Sequence, residues 1–157
     1  MDKILFLDMD HNLIQPKSGN RFPVDSMDWE FIIPTKEKAL QFYEDGYKIV
    51  VVSNQGGIAH GNETHEGLKL KFESIQQSMG IPIKFFYSSS TDKKDPMRKP
   101  NIGMAEEAAK VYDIDWENSI MVGDASGLPG QFSDSDKKFA ENAGIGTYYD
   151  TKEFQNL

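Results

Sequence analysis

Three short apolar runs, each breaking off into a polar cluster, constrain this chain more than any other feature: residues 4–7 run into Asp8-Met9-Asp10, 47–52 into Ser53-Asn54-Gln55, and 119–122 into Gly123-Asp124. Continuous apolar runs of this length, rich in β-branched residues, read as strands buried on both faces of a parallel sheet. Residues 83–87 and 146–149 read as further strands. Helical patterns fall between them. Residues 35–45 carry Pro34 and Thr35 at their start, an apolar side of Ala39, Leu40, Phe42 and Tyr43, and Gly46 as a stop. Residues 63–79 are a longer helix, with Asn62 as cap and Gly80 as terminator, while 102–112 and 135–142 are two more, the last ended by Gly144. The alternation predicts an α/β fold, with a mainly parallel sheet and helices on both faces. In such a sheet the C-terminal strand ends share one edge, and ligands bind where the strand order reverses. Clusters more than a hundred residues apart in sequence are therefore expected to meet.

A chain of 157 residues suits one buried core, so residues 1–157 are expected to form a single domain. It has no run of 18 apolar residues, so no membrane-spanning segment is expected. The N-terminal run begins after an acid and ends in carboxylates, which reads as an opening strand rather than a signal peptide. With no cysteine, disulfides and cysteine-type zinc sites are excluded, and a cytoplasmic or other intracellular location is expected. The net charge is −8, which argues against a protein that coats long stretches of nucleic acid.

Asp8 and Asp10 alone would read as turn-forming acids. Beside a second strand end carrying Asp124 they suit phosphoryl chemistry. A carboxylate nucleophile must approach a phosphate dianion, so it needs a cation at hand. Asp8 and Asp124 offer hard oxygen ligands for Mg²⁺. Asp10, two residues on, suits a general acid and base. Ser53, with Asn54 and the following Gln55-Gly56-Gly57, can meet phosphate oxygens, and Lys99 in Arg98-Lys99-Pro100 supplies a cation. Acids at the start of a helix also favour its dipole, which is the rival account of Asp134 and Asp136. His11, His60 and His65 have no metal-ligand spacing, and no P-loop occurs.

These residues resemble the haloacid dehalogenase superfamily of phosphatases, whose first motif is D-x-D-G-T. Here it reads FLDMDHNLI, so His11 and Asn12 stand where that family has glycine and threonine. The other motifs are Ser53, Lys99 and GDAS with Asp124. The chain is similar in particular to the phosphatase domain of polynucleotide kinase 3′-phosphatases. That resemblance rests on FP-x(4)-DW from Phe22 to Trp29, on EDGYKIV, SNQGGI-x-x-G, MRKPNIGM and VGDASG, and on the late FS-x-x-D-x-x-FA-x-N-x-G segment.

It implies a Rossmann-like core without a cap domain, residues 11–27 forming only a hairpin-like flap. It also implies magnesium held by Asp8, Asp124 and the Asp10 backbone carbonyl, with Asp136 in support. Asp8 would be nucleophile, Asp10 acid and base, Lys99 catalytic, and Ser53, Asn54, Asn12 and Arg98 would bind the substrate phosphate. The implied substrate is a 3′-phosphate at a DNA or RNA end, with a separate kinase or ligase as working partner. Lys17, Arg21, Lys93, Lys94 and Arg98 are candidate backbone contacts. The rivals are the same chemistry on a small-molecule phosphate, a phosphate-accepting signalling module, and an inactive binding domain.

Overall fold

The computed structural model describes residues 1–157. Along the chain run β1 (Ile4–Leu7), β2 (Ile14–Gln15), β3 (Glu30–Phe31), α1 (Ile33–Glu44), β4 (Lys48–Asn54) and α2 (His65–Met79). They are followed by β5 (Ile83–Ser88), α3 (Gly103–Val111), β6 (Ile120–Gly123), α4 (Ser135–Ala143), β7 (Thr147–Asp150) and α5 (Thr151–Gln155). Five strands form one parallel sheet in the order β5-β4-β1-β6-β7.

Alternate side chains of each central strand enter opposite layers, as the pleat requires. Leu5, Leu7, Ile49 and Val51 pack with Ala39 of α1, Leu68 and Ile75 of α2 and Phe154 of α5. Ile4, Phe6, Val50 and Val52 pack with Met104 and Ala108 of α3 and Phe139 of α4. Burial on both faces explains why these strands read as unbroken apolar runs. From β1 the chain moves outward through β4 to β5, then returns to β6 on the other side of β1. The order therefore reverses between β1 and β6, and in such a sheet the ligand crevice lies at the C-terminal ends of those strands. Asp8 and Asp124 follow those two strands directly.

Two local readings need correction. Helix α2 is capped by Thr64, not Asn62: the Thr64 hydroxyl accepts from the Gly67 amide at 3.0 Å. Helix α5 had no counterpart in the sequence reading. It is a single short turn set by a capping box, in which the Asp150 carboxylate caps the helix and Glu153 Oε1 accepts from the Asp150 amide at 3.1 Å.

No cap domain stands over the crevice. The flap is a hairpin in which Ile14 pairs with Phe31 and Gln15 with Glu30. Its long loop is gathered around one carboxylate. Asp28 accepts from the Ser18 amide at 2.7 Å, the Ser18 hydroxyl at 2.6 Å and the Val24 amide at 2.9 Å. Trp29 meets Phe31 edge to face at 5.0 Å. The Asp-Trp pair thus ties the loop to its own stem. No helix is long and apolar enough to cross a membrane.

Candidate active site

Lys99 is the centre of the crevice floor. Its ammonium donates to Asp8 Oδ1 at 2.9 Å, to Asp136 Oδ1 at 2.7 Å and to the Val52 carbonyl at 2.8 Å, so each of its three hydrogens has an acceptor. The side chain is almost wholly buried. Asn54, at the end of β4, sets the Lys99 backbone: its amide donates to the Lys99 carbonyl at 3.1 Å and its carbonyl accepts from the Lys99 amide at 2.9 Å.

Asp136 enters from the first turn of α4, and its second oxygen accepts from the Ala125 amide at 3.0 Å. It lies so close over Gly123 that any β-carbon there would collide with its carboxylate. The glycine before Asp124 is thereby explained by contact rather than by backbone conformation. One oxygen each from Asp8, Asp124 and Asp136 lie within 4.8 Å of one another.

Three carboxylates around one ammonium are mutually repulsive. Burial, with the adjacent Asp124, pushes Asp8 up to about 7 against the pull of Lys99. Burial and Asp8 push Asp136 up to about 6. Burial, then Asp136, also raises Asp124. Burial works against charge on Lys99, but Asp136 and Asp8 together carry it above the ordinary lysine value. The cluster carries an excess of negative charge that a divalent cation would balance.

Asp10 is held from the other side. Gln55 Nε2 donates to Asp10 Oδ2 at 2.8 Å and to the Ser53 hydroxyl oxygen at 2.6 Å. One amide thus links the acid that follows β1 to the hydroxyl near the end of β4. In the sequence Gln55 stands within a phosphate-facing cluster, and nothing there assigns its side chain to Asp10. Its place two residues after Ser53 was the available signal.

A family model described as polynucleotide kinase 3 phosphatase matches residues 3–154. The chain belongs to this family. A protein of Autographa californica nuclear polyhedrosis virus, described as an uncharacterized 20.8 kDa protein, is 39% identical over 162 residues, covering 99% of this chain and 86% of that protein. The bifunctional polynucleotide phosphatase/kinase of Schizosaccharomyces pombe is 38% identical over 148 residues. That match covers 91% of this chain but 35% of the larger protein. Among solved structures, the D,D-heptose 1,7-bisphosphate phosphatase from B. bronchiseptica, complexed with magnesium and phosphate, superimposes with a TM-score of 0.75 at 21% identity, covering 92% of this chain and 78% of that one. The fold is therefore that of a haloacid dehalogenase-type phosphatase.

Within this 3′-phosphatase-family domain, several expected phosphate ligands have other work. Asn12 is fully buried. Its amide donates to the Asp8 carbonyl at 2.6 Å and to the Val122 carbonyl at 3.4 Å, and its carbonyl accepts from Thr151 at 2.7 Å. It joins β1, β6 and α5, and both hydrogens of its side-chain amide are taken by backbone carbonyls. The Asn54 side chain is likewise spent on Lys99 rather than on substrate. Arg98 is half-buried and gives one donor to the Ser90 carbonyl at 3.0 Å. Its terminal nitrogen lies 3.9 Å from where a β-carbon on Gly56 would be, which puts it beside the loop after β4. Lys93 and Lys94 line a groove with Glu106 of α3 and Asn142 of α4. His65 bonds the Tyr87 hydroxyl at 2.7 Å.

The donor set decides which metal the cluster suits. Asp8, Asp124 and Asp136 offer only carboxylate oxygens, which fits a hard cation such as Mg²⁺ and disfavours a soft one. Both oxygens of Asp136 already accept hydrogen bonds, from Lys99 and Ala125. That points to Asp8 and Asp124 as the ligands and to Asp136 as their support.

Proposed function

We propose that this phosphatase removes the 3′-terminal phosphate from a nucleic acid strand. Asp8 attacks phosphorus through a carboxylate oxygen while the bond from phosphorus to the 3′-oxygen breaks. Asp10 passes its proton to that departing oxygen, which leaves an aspartyl phosphate on Asp8. Asp10, now a base, takes a proton from water as the water oxygen attacks phosphorus, and inorganic phosphate departs with Asp8 restored. Lys99 stays charged throughout and steadies the growing negative charge beside Asp8. Gln55 keeps Asp10 aimed at the leaving oxygen. A magnesium ion held by Asp8, Asp124 and the Asp10 carbonyl would offset phosphoryl charge and help align it for attack.

The observation that carries this reading is the family match over residues 3–154, on a chain whose acids and lysine converge at the strand-order reversal. The uncapped crevice supports it, because a polymer end needs an open approach. A net charge of −8 means that only a few local cations can hold the strand. A separate kinase or ligase is the partner that such end processing would call for. The test is hydrolysis of a 3′-phosphorylated oligonucleotide beside a panel of sugar, histidinol and nucleotide phosphates, with magnesium and with chelator. The expected outcome is a clear preference for the oligonucleotide and no turnover in chelator. Preference for a metabolite phosphate would make this a small-molecule enzyme of the same chemistry.

A further inference from the structure

A pocket of about 350 Å³ opens at the base of the flap, lined by His11, Gln15, Gly19, Asn20, Arg21 and Glu30 among others, with no hydrophobic side chain. Nothing in the reaction above uses it. Its position is informative, because His11 follows directly on Asp10, the group that serves the leaving oxygen. His11 therefore sets one wall of this pocket next in the chain to the residue assigned to the leaving oxygen.

His11 also stands in a strained place. Its φ is 58°, a left-handed conformation that an L-residue adopts at a cost of about 1 kcal/mol. Glycine, the residue of the resembling motif, would meet that backbone demand without strain, so the backbone alone gives no reason for an imidazole. Arg21 also lines the pocket, and its guanidinium lies over the Phe22 ring at 5.3 Å. A guanidinium over a ring keeps its in-plane donors available. Glu30, the one carboxylate in the lining, accepts from Gln15 at 3.1 Å. Its charge opposes a dianion more than a monoanion.

We propose that this pocket receives a second phosphate group carried on the leaving alcohol, with His11 and Arg21 donating to its oxygens. The proposal rests on the 3′-phosphatase reading. Glu30 favours a singly charged group, which is the internal phosphodiester of a strand.

Four substrates test this: a nucleoside 3′-monophosphate, a nucleoside 3′,5′-bisphosphate, a 3′-phosphorylated dinucleotide, and that dinucleotide with a neutral methylphosphonate linkage. The wild-type protein should give a kcat/KM about tenfold higher for the charged dinucleotide than for the neutral one, as hydrogen bonds to a charged group predict. In a His11→Gly/Arg21→Ala protein, that charged-to-neutral ratio should fall to about twofold or less. A bisphosphate that gains as much as the dinucleotide would support a phosphate pocket but overturn the preference for a singly charged group. Equal rates for charged and neutral linkages in the wild type would overturn the proposal, whatever the variant does. So would a ratio that survives in a folded variant. Turnover of a metabolite phosphate but of none of the four nucleotides would remove the strand reading, and the pocket proposal with it.

Discussion

The crevice floor and the flap are built from opposite materials. On the floor, Asp8, Lys99 and Asp136 are buried and each is tied by hydrogen bonds to another strand, helix or loop. The flap is two short paired stretches and a loop drawn together by Asp28, with Phe22, Val24 and Met27 exposed. The floor holds a charge arrangement that is unfavourable in itself, and only the surrounding sheet keeps it in place. The flap holds little strain beyond His11 and little buried area. On the proposed reading, chemistry that needs fixed geometry falls where the fold is most constrained, and contact with substrate where it is least.

The sharpest way to break the floor is to change its charges, and two substitutions should do so in opposite directions. Asp8→Asn removes the proposed nucleophile and should lower turnover on the order of 10⁴-fold or more. Because burial disfavours the Asp8 charge, the same change should raise the thermal midpoint of the metal-free protein at pH 8. Lys99→Ala should also lower kcat, by about 10²-fold or more. It leaves Asp8 and Asp136 buried without their cation, which should destabilise the fold by about 3–5 kcal/mol. Calorimetry beside turnover of a generic aryl phosphate reads both effects. An Asp8→Asn protein that is folded and active would end the covalent mechanism.

The acids also make a pH prediction whose sign is fixed. Asp8, raised to about 7, and Asp136, raised to about 6, bind more protons folded than unfolded. The stability they contribute is full below the ordinary carboxylate value near 3.8 and is lost as pH rises through 6 and 7. The metal-free protein should therefore lose stability between pH 5 and 8, apart from any change at other groups. Magnesium, by balancing the ionised acids, should raise the thermal midpoint more at pH 8 than at pH 5. Melting curves with and without chelator at the two pH values decide it. An equal rise at both would place the metal away from this cluster.

The flap should break without the floor. Asp28 lies below the usual carboxylate range, chiefly because the Ser18 hydroxyl and then the Val24 amide bond it. Asp28→Ala should lower the thermal midpoint by less than Lys99→Ala does, yet speed proteolytic nicking within residues 16–28. KM for an oligonucleotide should rise several-fold while kcat for a small aryl phosphate holds. A parallel loss on both substrates would show that the flap also shapes the chemistry.

The same contrast decides what could be read from the sequence. The five sheet strands, α1 to α4 and the convergence of Asp8, Ser53, Lys99 and Asp124 were legible, because burial on two faces and strand-end clusters leave strong local patterns. Residues whose side chains reach sideways were not. Asn12 and Asn54 sit at motif positions that suggest phosphate, yet their amides bond backbone from other elements. No sequence pattern separates an amide facing substrate from one facing a neighbouring carbonyl. Helix α5 is too short to show a period, and its capping box becomes evident only beside β7. Lys93 and Lys94, candidate backbone contacts, line a groove with Glu106 of α3, a placement that no local pattern in the sequence encodes.

The smallest effect tests where floor and flap join. His11 is the first residue beyond Asp10, and it is the one non-glycine residue with positive φ. Replacing it with glycine removes about 1 kcal/mol of backbone strain, while the greater freedom of glycine in the unfolded chain takes back about half to all of that. The net gain is a few tenths of a kcal/mol, a rise of roughly 1 °C in the thermal midpoint for a chain this long. His11→Ala is the control, since alanine keeps the strain and loses the imidazole. If strain alone matters, glycine melts above wild type and alanine at or slightly below it. If both variants melt below wild type by the same margin, the imidazole makes a stabilising contact in the free protein. The residue would then belong to the rigid floor, not to the flap.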